Sequence, residues 1–193
     1  MVKPKRFTNV GNIVSDEVFH VHYQLYQNYC DKYNLIQEEL KEYTGCPDAD
    51  KNYSRYRGMK RDETHNLNAV ILHEEYFKGI CDEQKQPQQI FKDAVSKHFG
   101  SFDGWLKDFK SASLATRGWC ICAYEQRSKC IVNYIVDNHD FGVLIGAYSL
   151  ITNDCWEHAY LPDYGNDIHA YVDNFIKHID WDIVETKIMN VVG

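Results

Sequence analysis

This sequence predicts an α+β fold: an N-terminal antiparallel helical hairpin followed by an α/β domain with a three-stranded antiparallel sheet. Three observations point there. Two long helical patterns follow one another near the N-terminus, three short runs rich in β-branched and aromatic residues cluster after residue 118, and helical periodicity returns towards the C-terminus. A division into residues 1–85, the hairpin domain, and residues 86–193, the α/β domain, is expected.

Ser15 to Thr44 lacks Gly and Pro and places Val18, Val21, Leu25, Cys30, Tyr33, Ile36 and Leu40 in a long helical pattern, with Ser15 and Glu17 suited to its start. The polar stretch Gly45 to Gly58, with Pro47 and Asp48, breaks that pattern and reads as a connection. A second helix is expected from about Asp62 to Gly79, and two consecutive long helices form an antiparallel hairpin. Gln88–Phe99 and Phe102–Leu114 are amphipathic helical stretches separated by Gly100-Ser101. Trp119–Tyr124, Cys130–Val136 and Tyr148–Thr152 then read as strands, divided by polar or Gly-bearing turns. Asp167–Ile179 and Asp182–Met189 return to helix around the Asp180-Trp181 bend.

With 44% apolar residues, 193 residues can bury one sizeable core or two small ones. The net charge of -7 offers no basic footprint for nucleic acid and disfavours an acidic membrane surface. No apolar run approaches the ~18 residues of a membrane span, and nothing apolar follows the charged start Met1-Val2-Lys3-Pro4-Lys5-Arg6. Neither a span nor a secretion signal is expected, and a cytoplasmic location is the default. The seven cysteines are odd in number and form no CxxC pair, so reduced thiols are expected. Cys120 and Cys122 would share one strand face as small core residues.

Chemistry concentrates in Asp154-Cys155-Trp156-Glu157-His158-Ala159-Tyr160, where a carboxylate and an imidazole lie four residues apart. A hard oxygen with a borderline nitrogen makes half of a metal site suited to iron, manganese or zinc. His22 on the first helix and His73 on the second would face one another across the hairpin, so that three imidazoles and one carboxylate converge.

These residues resemble the iron/manganese superoxide dismutases. Asp154 to Tyr160 matches the family's DxWEHAY signature, and the resemblance extends through His73 to Phe77, Phe99-Gly100-Ser101-Phe102, Gly118-Trp119, Asn138-His139-Asp140 and Trp181-Asp182, in the family's order. It implies the same fold, and a mononuclear Fe or Mn ion, one per subunit, held by His22, His73, Asp154 and His158 with solvent in a fifth position. The implied reaction converts superoxide to dioxygen and hydrogen peroxide, which requires a redox-active metal and excludes zinc. Trp119, Trp156, Glu157 and Tyr160 would surround the ligands and border a homodimer or tetramer interface, with Glu157 accepting a hydrogen bond from the other subunit's His158. His139 would be the outer donor to the bound solvent and slightly favours Fe, since Ala69, the alternative position on the second helix, has nothing to donate.

The sequence also departs from the family pattern. Tyr26 and Cys30 stand where a second His and a gateway Tyr are usual, and Tyr29 is expected to serve only if a bulge shifts the helix register by about 100°. A contact between Tyr26 and Tyr160 across the dimer is the corresponding expectation. Asp167 falls where an Arg often guards the substrate funnel. A non-catalytic subunit of the same fold, serving structure or interaction, is the alternative, and a mononuclear metal hydrolase is a further rival.

Overall fold

The computed structural model describes residues 1–43 and 48–192, so Thr44, Gly45, Cys46 and Pro47 of the expected helix end and connection lie outside the described residues. Helix α1 (Asp16–Glu42) begins where the Ser15 hydroxyl accepts the Val18 N–H, with Asp16 and Glu17 favouring the positive helix end. Helix α2 (Arg55–Lys78) starts seven residues before the expected Asp62. The Asp50 carboxylate folds the preceding turn by accepting from Asn52 and Tyr53 (2.7 and 3.0 Å), and Ser54 then caps Arg57. Gly58, which suggested a connection, sits inside the helix with open space around it.

The two helices run antiparallel. Glu39 meets Arg55, Gln37 meets Glu63 and His22 meets His73, so position rises along α1 as it falls along α2. Residues 1–14 lie beside the pair, tied through Asn34 to Val2 and through the hydroxyls of Tyr23 and Tyr26 to the Lys5 backbone.

Helices α3 (Gln89–Phe99) and α4 (Phe102–Ala115) meet at Gly100, whose φ of 78° ends one helix while the Ser101 hydroxyl caps the next. Strands β1 (Trp119–Glu125), β2 (Cys130–Val136) and β3 (Ala147–Asp154) form an antiparallel sheet in the order β2-β1-β3. Its register positions the site: Trp119 at the start of β1 pairs with Val136 at the end of β2 and with Asp154 at the end of β3. Three chain ends therefore meet at one edge of the sheet.

Helix α5 (Glu157–Tyr164), not expected from the sequence, holds Pro162 in its interior. Helix α6 (Ile168–Lys177) is capped by Asp167, and α7 (Trp181–Val192) closes the described chain. Trp105, Trp119, Tyr76, Tyr171, Phe109 and Phe175 dominate the core, and both Cys120 and Cys122 are fully buried in it. No described helix is long and apolar enough to cross a membrane.

Candidate metal centre

His22, His73, Asp154 and His158 come from α1, α2, the end of β3 and the start of α5, and each offers a donor atom within 4.8 Å of the others. Ligand bonds of ~2.1 Å to one ion span a comparable spread. His22 Nε2 lies 3.0 Å from Asp154 Oδ2, and His158 Nε2 lies 3.5 Å from the same oxygen. Among the described residues His73 Nε2 is buried without a hydrogen-bond partner, and His158 Nε2 is buried with the Asp154 oxygen at 3.5 Å as its near neighbour. Buried polar nitrogens of that kind are costly unless something binds them.

The other atoms of the ligand set are fixed by the fold. His73 Nδ1 donates to the Ala69 carbonyl at 2.6 Å, which leaves the Nε2 lone pair facing the cluster. Asp154 Oδ1 accepts the Trp156 N–H at 3.0 Å, and the Asp154 carbonyl accepts the Tyr171 hydroxyl at 2.6 Å. Burial opposes the charge on Asp154, but hydrogen bonds and charge from His158 and His22 outweigh it and hold the carboxyl well below the usual range. Burial lowers His22 and, with His22 alongside, brings His73 down to about 3. For His158, burial also pulls down, yet the bond to Asp154 and its charge raise it. An ionised carboxylate beside neutral His22 and His73 is the state in which these groups bind a cation.

A second layer has a defined polarity. The Trp119 indole N–H, which can only donate, reaches His139 Nδ1 at 3.1 Å, and His139 Nε2 lies 3.0 Å from the Tyr29 hydroxyl. Burial lowers His139 to about 4, so the ring is neutral, and its proton sits on Nε2 and donates to Tyr29. His139 is almost fully buried rather than exposed on its loop, held further by Asn68 donating to its carbonyl.

The expectation that Tyr29 needs a helical bulge is corrected. Helix α1 is unbroken from Asp16 to Glu42, and Tyr29 stands seven residues after His22, two turns along the same face. Tyr26 and Cys30 are both fully buried. The Tyr26 hydroxyl donates to Glu74 at 2.9 Å and accepts the Lys5 N–H. Tyr160 is half-buried and stacks on Tyr171, and Glu157 is exposed without hydrogen bond or ion pair among the described residues. Trp156 stacks beside His158 with its indole nitrogen buried and unpartnered. Asp167 spends its carboxylate on the Ala170 N–H.

Sequence reasoning missed Tyr171, whose hydroxyl steadies the Asp154 backbone, and His65, whose ring packs 4.7 Å from that of His139. A signal for His65 was present: residues 65, 69 and 73 recur every four positions on α2.

Three imidazoles and a carboxylate, gathered where a helical hairpin meets one end of the sheet and buried except for the partly exposed His158, define a protein fitted for a single metal ion. Residues 87–187 match the family described as iron/manganese superoxide dismutases, C-terminal domain. The superoxide dismutase (Fe) of Aquifex aeolicus (strain VF5) is 35% identical over 189 residues, covering 96% of this chain and 87% of that protein. Superoxide dismutase (Mn) 1 of Halobacterium salinarum (strain ATCC 700922 / JCM 11081 / NRC-1) is 32% identical, covering 88% of this chain and 84% of that protein. The chain belongs to the iron/manganese superoxide dismutase family.

Proposed function

We propose that this chain is a superoxide dismutase using one Fe or Mn ion per subunit, held by His22, His73, Asp154 and His158. The observation that carries the reading is the convergence of these four donors, with His73 Nε2 buried among them and without a hydrogen-bond partner among the described residues. When bound, the metal supplies the alternating one-electron step that takes one superoxide to dioxygen and the next to hydrogen peroxide. Zinc lacks such a step. The donor set suits iron and manganese alike, and His139 inclines the reading towards iron.

The protein's own contribution is proton supply and orientation. Trp119 fixes His139 as a donor to Tyr29, which leaves the Tyr29 hydroxyl proton free to turn towards the ligands. Tyr29, rather than Tyr26 or Cys30, is the gateway in this reading. Burial and the nearby Asp154 charge raise the Tyr29 pKa, so the phenol remains protonated and able to donate. Tyr26 and Cys30 serve the core.

The reading extends to a homodimer in the cytoplasm, built from an N-terminal domain of residues 1–85 and a C-terminal domain of 86–193. The exposed, unpartnered Glu157 beside His158 supports a subunit contact at that place.

Fe-loaded, Mn-loaded and stripped protein, each with its metal content measured, test the proposal by their rates of superoxide consumption. Activity in at least one loaded form and none in the stripped form is expected. Inactivity of both loaded forms would overturn it in favour of a non-catalytic subunit.

A further inference from the structure

His139 lies in the connection between the end of β2 at Val136 and the start of β3 at Ala147, beside the exposed Asn138, yet is itself almost fully buried. A loop residue buried in that way needs partners for its main chain. Among the described residues no backbone-to-backbone hydrogen bond reaches residues 138–140. The connection is tied just before them at Asp137, whose carboxylate accepts the Arg117 N–H at 3.0 Å and whose own N–H donates to the Phe141 carbonyl.

Side chains hold what the main chain does not. The His139 N–H donates to Asn138 Oδ1 at 2.8 Å, and the His139 carbonyl accepts the Asn68 amide at 3.0 Å. The His65 ring meets that of His139 edge-on, with centroids 4.7 Å apart and planes at 62°, and His65 Nδ1 lies 3.6 Å from the Asp140 carboxylate. Asn68 and His65 share one face of α2, five and eight residues before His73. One unbroken helix therefore carries a candidate ligand together with the two side chains that grip the outer donor.

We propose that Asn68 and His65 are positioning residues, which fix where His139 stands relative to the ligand set and so how well its ring holds the Tyr29 hydroxyl. The kinetic part of this proposal rests on the superoxide reading above. Asn68 anchors the main chain of His139, and His65 sets the tilt of its ring. Both matter because that ring is engaged at each nitrogen, by Trp119 Nε1 at 3.1 Å and by the Tyr29 hydroxyl at 3.0 Å, and such bonds weaken steeply when their angles are lost. A displacement of ~1 Å at a group that orients a reacting hydroxyl can cost about a hundredfold in rate.

The test is Asn68→Asp, which replaces the amide donor by an acceptor of the same size and sets a carboxylate against the His139 carbonyl. Asn66→Asp makes the same change two residues away, where the amide donates to the Asp62 carbonyl of its own helix. In stripped protein, NMR should show the Trp119 indole N–H, which donates to His139, exchanging with solvent about tenfold faster in Asn68→Asp and within about twofold of wild type in Asn66→Asp. In Fe-loaded protein kcat for superoxide should fall about tenfold in Asn68→Asp, with KM within about twofold of wild type. His65→Ala should move both readouts in the same direction, and His65→Phe, which keeps a ring against His139, should restore them. Should Asn68→Asp not fold, Asn68→Ala carries the same comparison. Equal behaviour of the Asn68 and Asn66 variants, or faster exchange with unchanged kcat, would overturn the proposal. Wild type that consumes no superoxide while its indole exchange still depends on Asn68 would defeat the functional reading and leave the hold of α2 on His139 in place.

Discussion

Tyr26 and Tyr29 sit three residues apart on one helix, yet their hydroxyls end in different chemistry, one on Glu74 and Lys5, the other on His139. Tyr29→Phe should lower superoxide turnover several-fold while costing about 1 kcal/mol or less in stability, because one hydrogen bond is lost. Tyr26→Phe should do the reverse, costing about 1–2 kcal/mol by stranding the buried end of the Lys5–Glu74 network with activity within about twofold of wild type. Steady-state assays beside urea melts separate the two outcomes. This division could not be read from the sequence. Counting from the family's positions led to Tyr26 and Cys30, whereas helical geometry favours the residue two turns beyond the ligand. The thiols are simpler, since burial raises Cys122 and Cys155 far above their usual range and Cys120 up to about 12. A thiol reagent at pH 8 should label Cys81 and Cys130 in the native protein and leave Cys120, Cys122 and Cys155 unmodified until denaturant is added, as read by peptide mapping.

Among the elements, β1 is where the fold bears most directly on the site, because its first residue pairs with a ligand and donates to His139. Gly118 lets that strand begin. A Cβ there would stand 2.4 Å from the Val136 carbonyl and 3.2 Å from Trp156 Nε1. Gly118→Ala should therefore destabilise the protein by about 1–3 kcal/mol and, by shifting Trp119, weaken metal retention, measurable by thermal melts and metal analysis after dialysis. The strands and most helices were legible because their periodicity is unambiguous. Helix α5 was not, since Pro162 inside it reads as a breaker, and α2 was shortened because Gly58 and the polar residues around it resemble a loop. The true start of α2 also brings Arg57, Arg61 and His65 onto one helix face.

For the whole molecule, burying several imidazoles together ties stability to pH and to metal. In stripped protein His73 and His139 have folded pKa values of about 3 and about 4, below the ordinary value near 6.5 of the unfolded chain. The unfolded state therefore takes up protons first as pH falls, and stability present above pH ~6.5 is lost on the way down to pH ~4. His158, with its raised pKa, works in the opposite sense but is one group against three, His22 included. Chemical denaturation of stripped protein should show about 4 kcal/mol less stability at pH 5 than at pH 7.5, roughly half from each of His73 and His139, and loading the metal should raise the midpoint at both. The gathering of the four side chains was legible early, because Asp154 and His158 share one short motif and a helical hairpin brings His22 and His73 face to face. The donors at positions 22 and 158 are also far apart along the polypeptide. A ribosome must therefore have released the chain past residue 158 before any ion can find its full set of partners, so metal acquisition waits on that stretch of synthesis. A fragment halted before residue 154 should leave iron and manganese in the medium, however well its hairpin has formed.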